Sequence, residues 1–545
     1  MGTFDIVDEV AVTSRRARIH EAGWQSWSPT GTYRLCEASP RPQRSWQQLM
    51  RFRPESPSPA TGFQSEGVLA LDGGDGRTRL YTLAGTIEGL GRVPTIRAHP
   101  VAGRVVVSAD GPMRVTDIDG NVADALVAFG DEWAARCGVR AIAAPPSVWC
   151  SWYHYFLDVT PADIEENLAA MDRLDLPVDV VQLDDGWQAG IGDWDAYSER
   201  FRRLPDLVAR IHDRGRRAGI WVAPLTVGSN SRLARDHPNW LVGDGGRNWG
   251  QSLHGLDVTH PGAAAHLRAS LHALRDLEID YVKLDFLYTG ALHGRRYEDV
   301  SPVAAYRQGL AVVREAFGKD AYLLGCGAPL LPSVGLVDAM RVSGDVMNPA
   351  DEPSPLGRPR GERAIRARAW QHGRFWVNDP DCLVARPGFE LRRQWAHLIE
   401  RFGGLRSASD RIDDLDAWGL RTTRHLLSDA PAPSPLDRRL VGQTVSRDAT
   451  PRRHGSPRMD IPGWPARRPV VRSAASRSSP PPSSGCLRST AVSAGRRLPK
   501  PPRWSGGRAR SAPKLTSSSW GSTTHGSTGW TRPPWRPTRP LSRPS

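Results

Sequence analysis

The chain has 545 residues, 24% of them charged, and a formal net charge of +14. Single domains mostly run to about 100–250 residues, so this length exceeds one core and two or three domains are expected. The basic balance does not mark a nucleic-acid-binding protein, because 20 of the 72 Lys+Arg but only 2 of the 58 Asp+Glu fall in residues 441–545, leaving the first 440 mildly acidic.

Six cysteines (Cys36, Cys137, Cys150, Cys326, Cys382, Cys486) are scattered without a CxxC pair. That argues against a zinc site or a disulfide scaffold and fits a reducing cytoplasm. The N-terminal stretch MGTFDIVDEVAVTSRRARIH lacks the apolar core and cleavage motif of a leader, and no window approaches 18 uninterrupted apolar residues. Neither secretion nor membrane spanning is expected.

Residues 1–138 are rich in Gly, Pro and Arg and carry short alternating runs, such as Leu80 to Thr86 and Arg104 to Ala109, which predict a β-rich domain. A helical stretch, 125–138, leads into residues 139–430, where apolar runs of five to eight residues alternate with helical patterns, the signature of parallel strands with crossover helices. Eight strands are predicted: Val148 to Tyr155, Val178 to Leu183, Gly219 to Pro224, Tyr281 to Phe286, Tyr322 to Cys326, Ala339 to Ser343, Phe375 to Val377 and Gly404 to Ala408. Between them fall predicted helices at 162–174, with Thr160 and Asp163 as caps, at 205–219, stopped by Gly219, and at 262–277, after His260-Pro261. Eight βα units over about 280 residues predict an α/β fold, a (β/α)8 TIM barrel. A doubly wound sheet is the alternative, but no GxGxxG phosphate loop follows an early strand.

In residues 431–545 Pro, Arg, Ser and Gly dominate and periodicity vanishes. Such a low-complexity basic tail cannot bury enough apolar area to offset its ordering entropy, so no folded domain is expected. The abrupt change and the arginine excess expected of GC-rich DNA also suit a reading frame shifted near residues 430–450, which nucleotide sequencing across that junction tests.

Carboxylates and tryptophans follow the predicted strands, and in a barrel those positions line the active-site mouth. In YVKLDFLY (281–288), Lys283 and Asp285 are two apart on a strand and face the same side. The ammonium keeps the carboxylate ionised, as attack on an anomeric carbon requires; a structural ion pair is the bland alternative. Lys283 is one of only four lysines against 68 arginines, which makes an incidental lysine here less expected. Asp345 in AMRVSGDV (339–346) lies just past a later strand and is the general acid/base candidate, with Arg341 beside it as a substrate contact, a tuning group or an ordinary salt bridge. VVQLDDGWQ (180–188) supplies Asp184, Asp185 and Trp187, where carboxylates accept bonds from vicinal hydroxyls and a ring packs on a sugar's apolar face. A metal site is the rival reading, without a nearby His or third acid at ligand spacing. Trp152, Tyr153, His154 and Trp221 are further pocket-wall candidates, and Cys326 in LLGCGAP is a pocket-lining residue rather than a nucleophile, having no partner histidine in a motif.

Taken in order, LDDGWQ, GIWVAPL, YVKLDF, GCGAP, RVSGDV and FWVNDPDC resemble the melibiase-type α-galactosidases of glycoside hydrolase clan D, and GWQSWSPTGTY (23–33) is similar to the amino-terminal β-domain motif of bacterial members. The resemblance covers roughly residues 21–427. It implies Asp285 as nucleophile, Asp345 as acid/base, Asp184 and Asp185 as partners of the galactose O4 and O6 hydroxyls, and Lys283, Cys326 and Arg341 as sugar contacts. It implies double displacement with retention, the two carboxyls about 5–5.5 Å apart, and no metal or organic cofactor. Ala223-Pro224-Leu225 and Gln251-Ser252-Leu253 depart from the family pattern, which implies a difference in sugar or linkage. Two other readings stay open. One is a clan relative with another specificity, an α-N-acetylgalactosaminidase or a raffinose-synthase-like galactosyl transferase. The other is an inactive protein whose tail binds polyanions nonspecifically. The partners expected are an α-galactoside oligosaccharide and a second copy of the chain in a homo-oligomer, with no specific nucleic acid and no membrane.

Overall fold

A computed structural model describes residues 3–441 apart from 13–14, 43–44, 54, 86–90, 140, 348–360, 430, 432–433, 437–438 and 440. The expectations of disorder or a shifted frame for the tail lie, from residue 442 on, outside the described residues.

The alternating runs near the N-terminus form two antiparallel sheets. One has the order Asp5–Ala11, Arg104–Ala109, Thr95–Val101, Phe63–Glu66. The other has the order Gly31–Arg34, Arg18–Glu21, Val68–Asp72, Arg77–Leu83, Met113–Asp119. Inward residues of both, including Ile19, Tyr33, Phe63, Leu69, Tyr81, Ile96 and Val107, share one core, as alternation in a β-sandwich requires. The helix Val122–Arg136 follows, opened by a capping box between Asn121 and Asp124.

The eight predicted strands all form and make one parallel sheet. They are β1 (Ser147–Cys150), β2 (Val180–Leu183), β3 (Arg217–Val222), β4 (Tyr281–Leu284), β5 (Tyr322–Gly325), β6 (Ala339–Arg341), β7 (Val377–Asp379) and β8 (Arg406–Ala408). Their order is β7-β6-β5-β4-β3-β2-β1-β8. The N–H groups of Gly404 and Leu405 donate to the Asn378 carbonyl at 2.9 and 3.1 Å, drawing the sheet's two ends together into a barrel. Continuous burial along β2, β4 and β5 explains their near-continuous apolar sequences, because crossover helices cover a parallel sheet outside and side chains fill it inside.

Several boundaries shift by about two residues, and three of the shifts have a clear cause or consequence. The helix predicted at 205–219 is Leu204–Asp213, ended by Gly215 at φ +71°, and Gly219 lies within β3. A Cβ on Gly219 would meet Tyr281 and Val180 at 2.9 Å, so this glycine serves close strand packing, not helix termination. The strand predicted to reach Tyr155 stops at Cys150, and Trp152–Tyr155 is a single helical turn at the rim, where no neighbouring strand remains to pair. The strand predicted at 375–377 instead runs Val377–Asp379 and carries its acidic end toward the mouth. The caps at Thr160 and Asp163 form as expected, opening Pro161–Arg173, and His260 caps Pro261–Arg275.

The GWQSWSPT segment joins sandwich and barrel. Ser26 N donates to the Ala328 carbonyl at 3.1 Å, and Ala328 N to Ser26 Oγ at 3.0 Å. Buried Arg368 donates to the carbonyls of Gln25, Ser26 and Ser28 and to Thr30 Oγ1. A guanidinium has five donors in a rigid fork, which is why one side chain can satisfy a whole turn of irregular backbone.

Between β3 and β4 the chain makes a small antiparallel sheet of Thr226–Gly228, Leu241–Val242, Arg247–Asn248 and Gln251–Leu256, whose tip carries Trp249 over the mouth. No helix among the described residues is long and apolar enough to cross a membrane.

Candidate active site

Asp285 directly follows β4 and is 7% exposed. Its Oδ2 accepts from Trp221 Nε1 at 3.1 Å and its Oδ1 from the N–H of Phe286 at 2.8 Å. Phe286 sits in the left-handed region (φ 51°, ψ 29°), a conformation that costs a bulky residue energy and that surrounding contacts must impose. Three rings hold it. Trp249 lies 4.7 Å away between centroids, Trp27 of the GWQSWSPT segment 5.0 Å, and Tyr288 6.3 Å. Gly327 (φ +55°) lets this happen: a Cβ there would lie 2.9 Å from Trp27 and 3.1 Å from Phe286 N. The sandwich thus supports the residue whose amide orients Asp285.

Asp184 and Asp185 follow β2, both 2% exposed. Asp184 Oδ2 accepts from Lys283 Nζ at 2.9 Å, Gln182 Nε2 at 2.6 Å and Cys150 Sγ at 3.3 Å. Lys283 was expected to pair with Asp285; its direct ion pair is with Asp184. Strands β2 and β4 alternate around the barrel, and inward side chains of alternate strands share a layer, which brings this ammonium to Asp184. Burial works against the Lys283 charge, but Asp184 and then Asp285 outweigh it and hold its pKa well above the usual lysine value. Asp185 accepts from Gln188 Nε2 at 2.6 Å and Trp249 Nε1 at 2.8 Å, and burial pushes its carboxyl up to about 6.

Arg341, the last residue of β6, is 2% exposed. Its three nitrogens fan out to three carboxylates: Nη1 to Asp345 at 3.0 Å, Nε to Asp379 at 3.2 Å, and Nη2 to Asp381 at 2.7 Å. Asp345 keeps 37% of its side-chain surface open. Desolvation in the mouth still raises its pKa, against Arg341 and Lys283, which lower it, and with Asp285, which raises it. Cys326, after β5, is buried, and burial and then Asp285 push its thiol well above the usual value. An un-ionised, enclosed thiol suits a pocket lining and not a nucleophile.

Of the twelve residues singled out from the sequence, the nine expected as catalytic or sugar-contact groups stand at the C-terminal end of the barrel strands, with unequal access. Trp187 is fully buried, donates to the Trp221 carbonyl at 2.8 Å and lies against Trp194 and Tyr197. It presents no face to the mouth and so departs from the expectation of a sugar platform, because its Gly186-led turn tucks the ring behind β3. Trp221 is 2% exposed and offers its N–H to Asp285. Tyr153 is buried with its hydroxyl on Asp381, whereas Trp152 and His154 are partly exposed at the rim. Sequence reasoning missed Trp249, Trp27, Asp379 and Asp381. The acids could have been found by the signal that found the others, carboxylates just past an apolar strand; the two tryptophans reach the mouth from outside the barrel strands and carry no such signal. Among the described residues no group of three or more His, Cys, Asp or Glu is disposed to hold a metal ion.

Residues 141–315, from β1 through the helix after β4, match the Melibiase family model. The chain carries a melibiase domain. A bifunctional α-galactosidase/sucrose kinase of Mediterraneibacter gnavus is 31% identical over 100 residues, 17% of this chain and 10% of its own length. Alpha-galactosidase 1 of Pediococcus pentosaceus is 27% identical over 172 residues, 28% of this chain and 23% of its own. The matches to these curated relatives therefore span a tenth to a quarter of their length. The solved α-galactosidase of Thermus thermophilus in complex with p-nitrophenyl α-D-galactopyranoside superposes with a TM-score of 0.64 at 26% identity, over 78% of this chain and 92% of that one. Its complex with stachyose gives a TM-score of 0.64 at 27% identity, over 77% and 92%. The melibiase match ends before β5, so it contains Asp184, Asp185, Lys283 and Asp285 but not Cys326, Arg341 or Asp345.

Proposed function

We propose that this protein is a retaining glycoside hydrolase that releases terminal α-linked galactose from oligosaccharides of the stachyose kind by double displacement. The observation that carries the reading is one mouth with two carboxyls in contrasting settings: Asp285, nearly enclosed and oriented by two N–H donors, and Asp345, open to solvent and raised by desolvation. An oriented carboxylate suits a nucleophile, and a raised one suits a group that holds a proton until it is needed.

In the first step an Asp285 oxygen attacks the anomeric carbon, the glycosidic C–O bond breaks, and the Asp345 proton passes to the departing oxygen. In the second, Asp345 takes a proton from water, whose oxygen displaces Asp285 and restores the original anomeric configuration. Asp184 and Asp185 accept bonds from sugar hydroxyls, and Lys283 donates to one while balancing Asp184. Cys326 and Trp221 line the pocket, Trp187 backs Trp221, and Arg341 holds the acid/base. No cofactor enters this chemistry. A cytoplasmic setting belongs to the same proposal, supported by free thiols at Cys36, Cys150, Cys326 and Cys382.

The test is hydrolysis of p-nitrophenyl α-galactoside by the full chain beside the α-glucoside and the α-N-acetylgalactosaminide, with the first-formed anomer read by proton NMR. Selective release of α-galactose supports the reading. Preference for another sugar by folded protein, or β-galactose as first product, overturns it.

A further inference from the structure

The Arg341 fan ends on a residue that the mechanism above does not use. Asp381 follows β7 by two residues, is 1% exposed, and sits at φ +105° without being glycine. Such a backbone is strained and persists where surrounding bonds over-determine it. Four donors do so here. Oδ1 takes Arg341 Nη2 at 2.7 Å and the Cys382 N–H at 2.8 Å; Oδ2 takes the Val346 N–H at 2.8 Å and the Tyr153 hydroxyl. Val346 is the residue after Asp345. The same carboxyl therefore grips the backbone that carries Asp345 and the guanidinium that touches its side chain.

We propose that Asp381 is the positioning residue of the acid/base: through Arg341 and the Val346 amide it fixes where Asp345 stands and how much of the Arg341 charge Asp345 feels. The inference rests on Asp345 being the acid/base. The guanidinium carries one positive charge and serves three carboxylates, so each partner that draws on it leaves less to hold Asp345 ionised. A carboxylate beside an uncompensated arginine loses its proton at lower pH; one beside a shared arginine keeps it longer.

The groups that act on Asp345 come from every side of the mouth. They are Arg341 from β6, Lys283 and Asp285 from β4, Asp381 from the loop after β7, Tyr153 from the turn after β1, and Cys326 from the end of β5, with Asp379 acting through Arg341 and Asp381. Of these, Asp381 alone also bonds the backbone next to Asp345, which is what makes it a positioning residue and not one more charge in the background.

Burial pushes the Asp381 carboxyl up to about 7 against the pull of Arg341, so its charge is in place above neutrality, where the alkaline limb is read. Asp381→Asn in the full chain removes that charge and keeps shape, and asparagine tolerates a positive φ. The measurement is kcat/KM against pH on p-nitrophenyl α-galactoside, a good leaving group, and on methyl α-galactoside, a poor one, for wild type, D345A and D381N. In D381N the alkaline limb on the methyl galactoside moves to lower pH by about one unit, a loss of about tenfold above neutrality, while p-nitrophenyl turnover changes far less. A purely structural role predicts equal losses on both substrates and an unmoved limb. If D345A abolishes the alkaline limb but D381N leaves it in place, the proposal is overturned and the acid/base reading survives. If D345A itself leaves the limb in place, the acid/base reading falls and takes this inference with it. Should D381N not fold, D381G, in which glycine accepts the φ of +105° without strain, removes the same carboxyl and carries the same test, with the same direction expected and an unmoved limb as the overturning result.

Discussion

Two regions of this molecule bury charge, and they do so to opposite ends. In the sandwich, Glu66 (5% exposed) pairs with Arg53 (4% exposed) at 3.1 Å and accepts from Thr95 and Gln64. Glu21 there faces Arg41, and burial raises both glutamates to about 7. Both glutamates are enclosed, and the cluster reaches solvent through Arg41, 22% exposed, and through Glu55, 25% exposed, which pairs with Arg53 at 3.6 Å. In the barrel mouth the ion pairs are equally enclosed at their roots, Lys283 on Asp184 and Arg341 on Asp379 and Asp381, but they end on a carboxyl that meets solvent, Asp345. Burial alone therefore does not mark function. What separates the two is the acid at the open end: against its burial, Glu55 in the sandwich is held below the usual carboxylate range by His293 and Arg53, whereas desolvation raises Asp345 in the mouth.

The largest effect that tests this contrast is on turnover. Asp285→Asn should lower kcat on p-nitrophenyl α-galactoside by at least about 10⁴-fold, while thermal unfolding shows a melting temperature unchanged or raised, because the carboxyl is placed for chemistry. A large loss of stability with modest loss of turnover would assign Asp285 to the structural class instead.

Arg53→Met should do the reverse. Removing one partner of a buried pair strands the other, at a cost of about 3–5 kcal/mol in chemical denaturation, with kcat per folded molecule unchanged. A stability like that of the wild type would show that the sandwich network contributes nothing that packing cannot replace.

The smallest effect is a change of slope. Glu66 has a folded pKa raised to about 7 above an ordinary value near 4.5, so its contribution is fully present below about pH 4.5 and is lost as pH rises through about 7. Buried His20, lowered to about 3, works oppositely, since the folded state then binds fewer protons than the unfolded one. A comparison with wild type isolates the glutamate: Glu66→Gln should gain unfolding free energy relative to wild type as pH rises from 5 to 8, by at most about 1.4 kcal/mol per pH unit, read in chemical denaturation at each pH. Parallel curves would mean that Glu66 is ionised throughout.

The barrel was legible because each of its strands is a short, fully buried apolar run, and a parallel sheet covered on both sides leaves that pattern in the chain whatever its neighbours are. The mouth was legible for a related reason. Asp184, Asp185, Asp285 and Asp345 stand one to four residues past such a run, where a barrel puts its chemistry. Misplaced boundaries came where local signals compete: two glycines lie four residues apart at 215 and 219, and only the first takes a left-handed turn. The β7 boundary mattered most. Ending that strand at Val377 hid Asp379 and Asp381, which extend the same acidic pattern by one more strand.

By itself, then, the sequence determined which residues could do chemistry and at which end of which strand they stand, since periodicity and the strand-end rule are local. Only the tertiary structure decided their partners. Lys283 meets Asp184 across 99 residues, Trp249 meets Asp185 across 64, and Arg368 fastens Ser26 across 342. Such pairings have no local signature, because they follow from barrel layers and from how a sandwich docks on a barrel rim. A free energy of contact between distant residues is set by geometry in three dimensions, and neither residue type nor spacing along the chain encodes it.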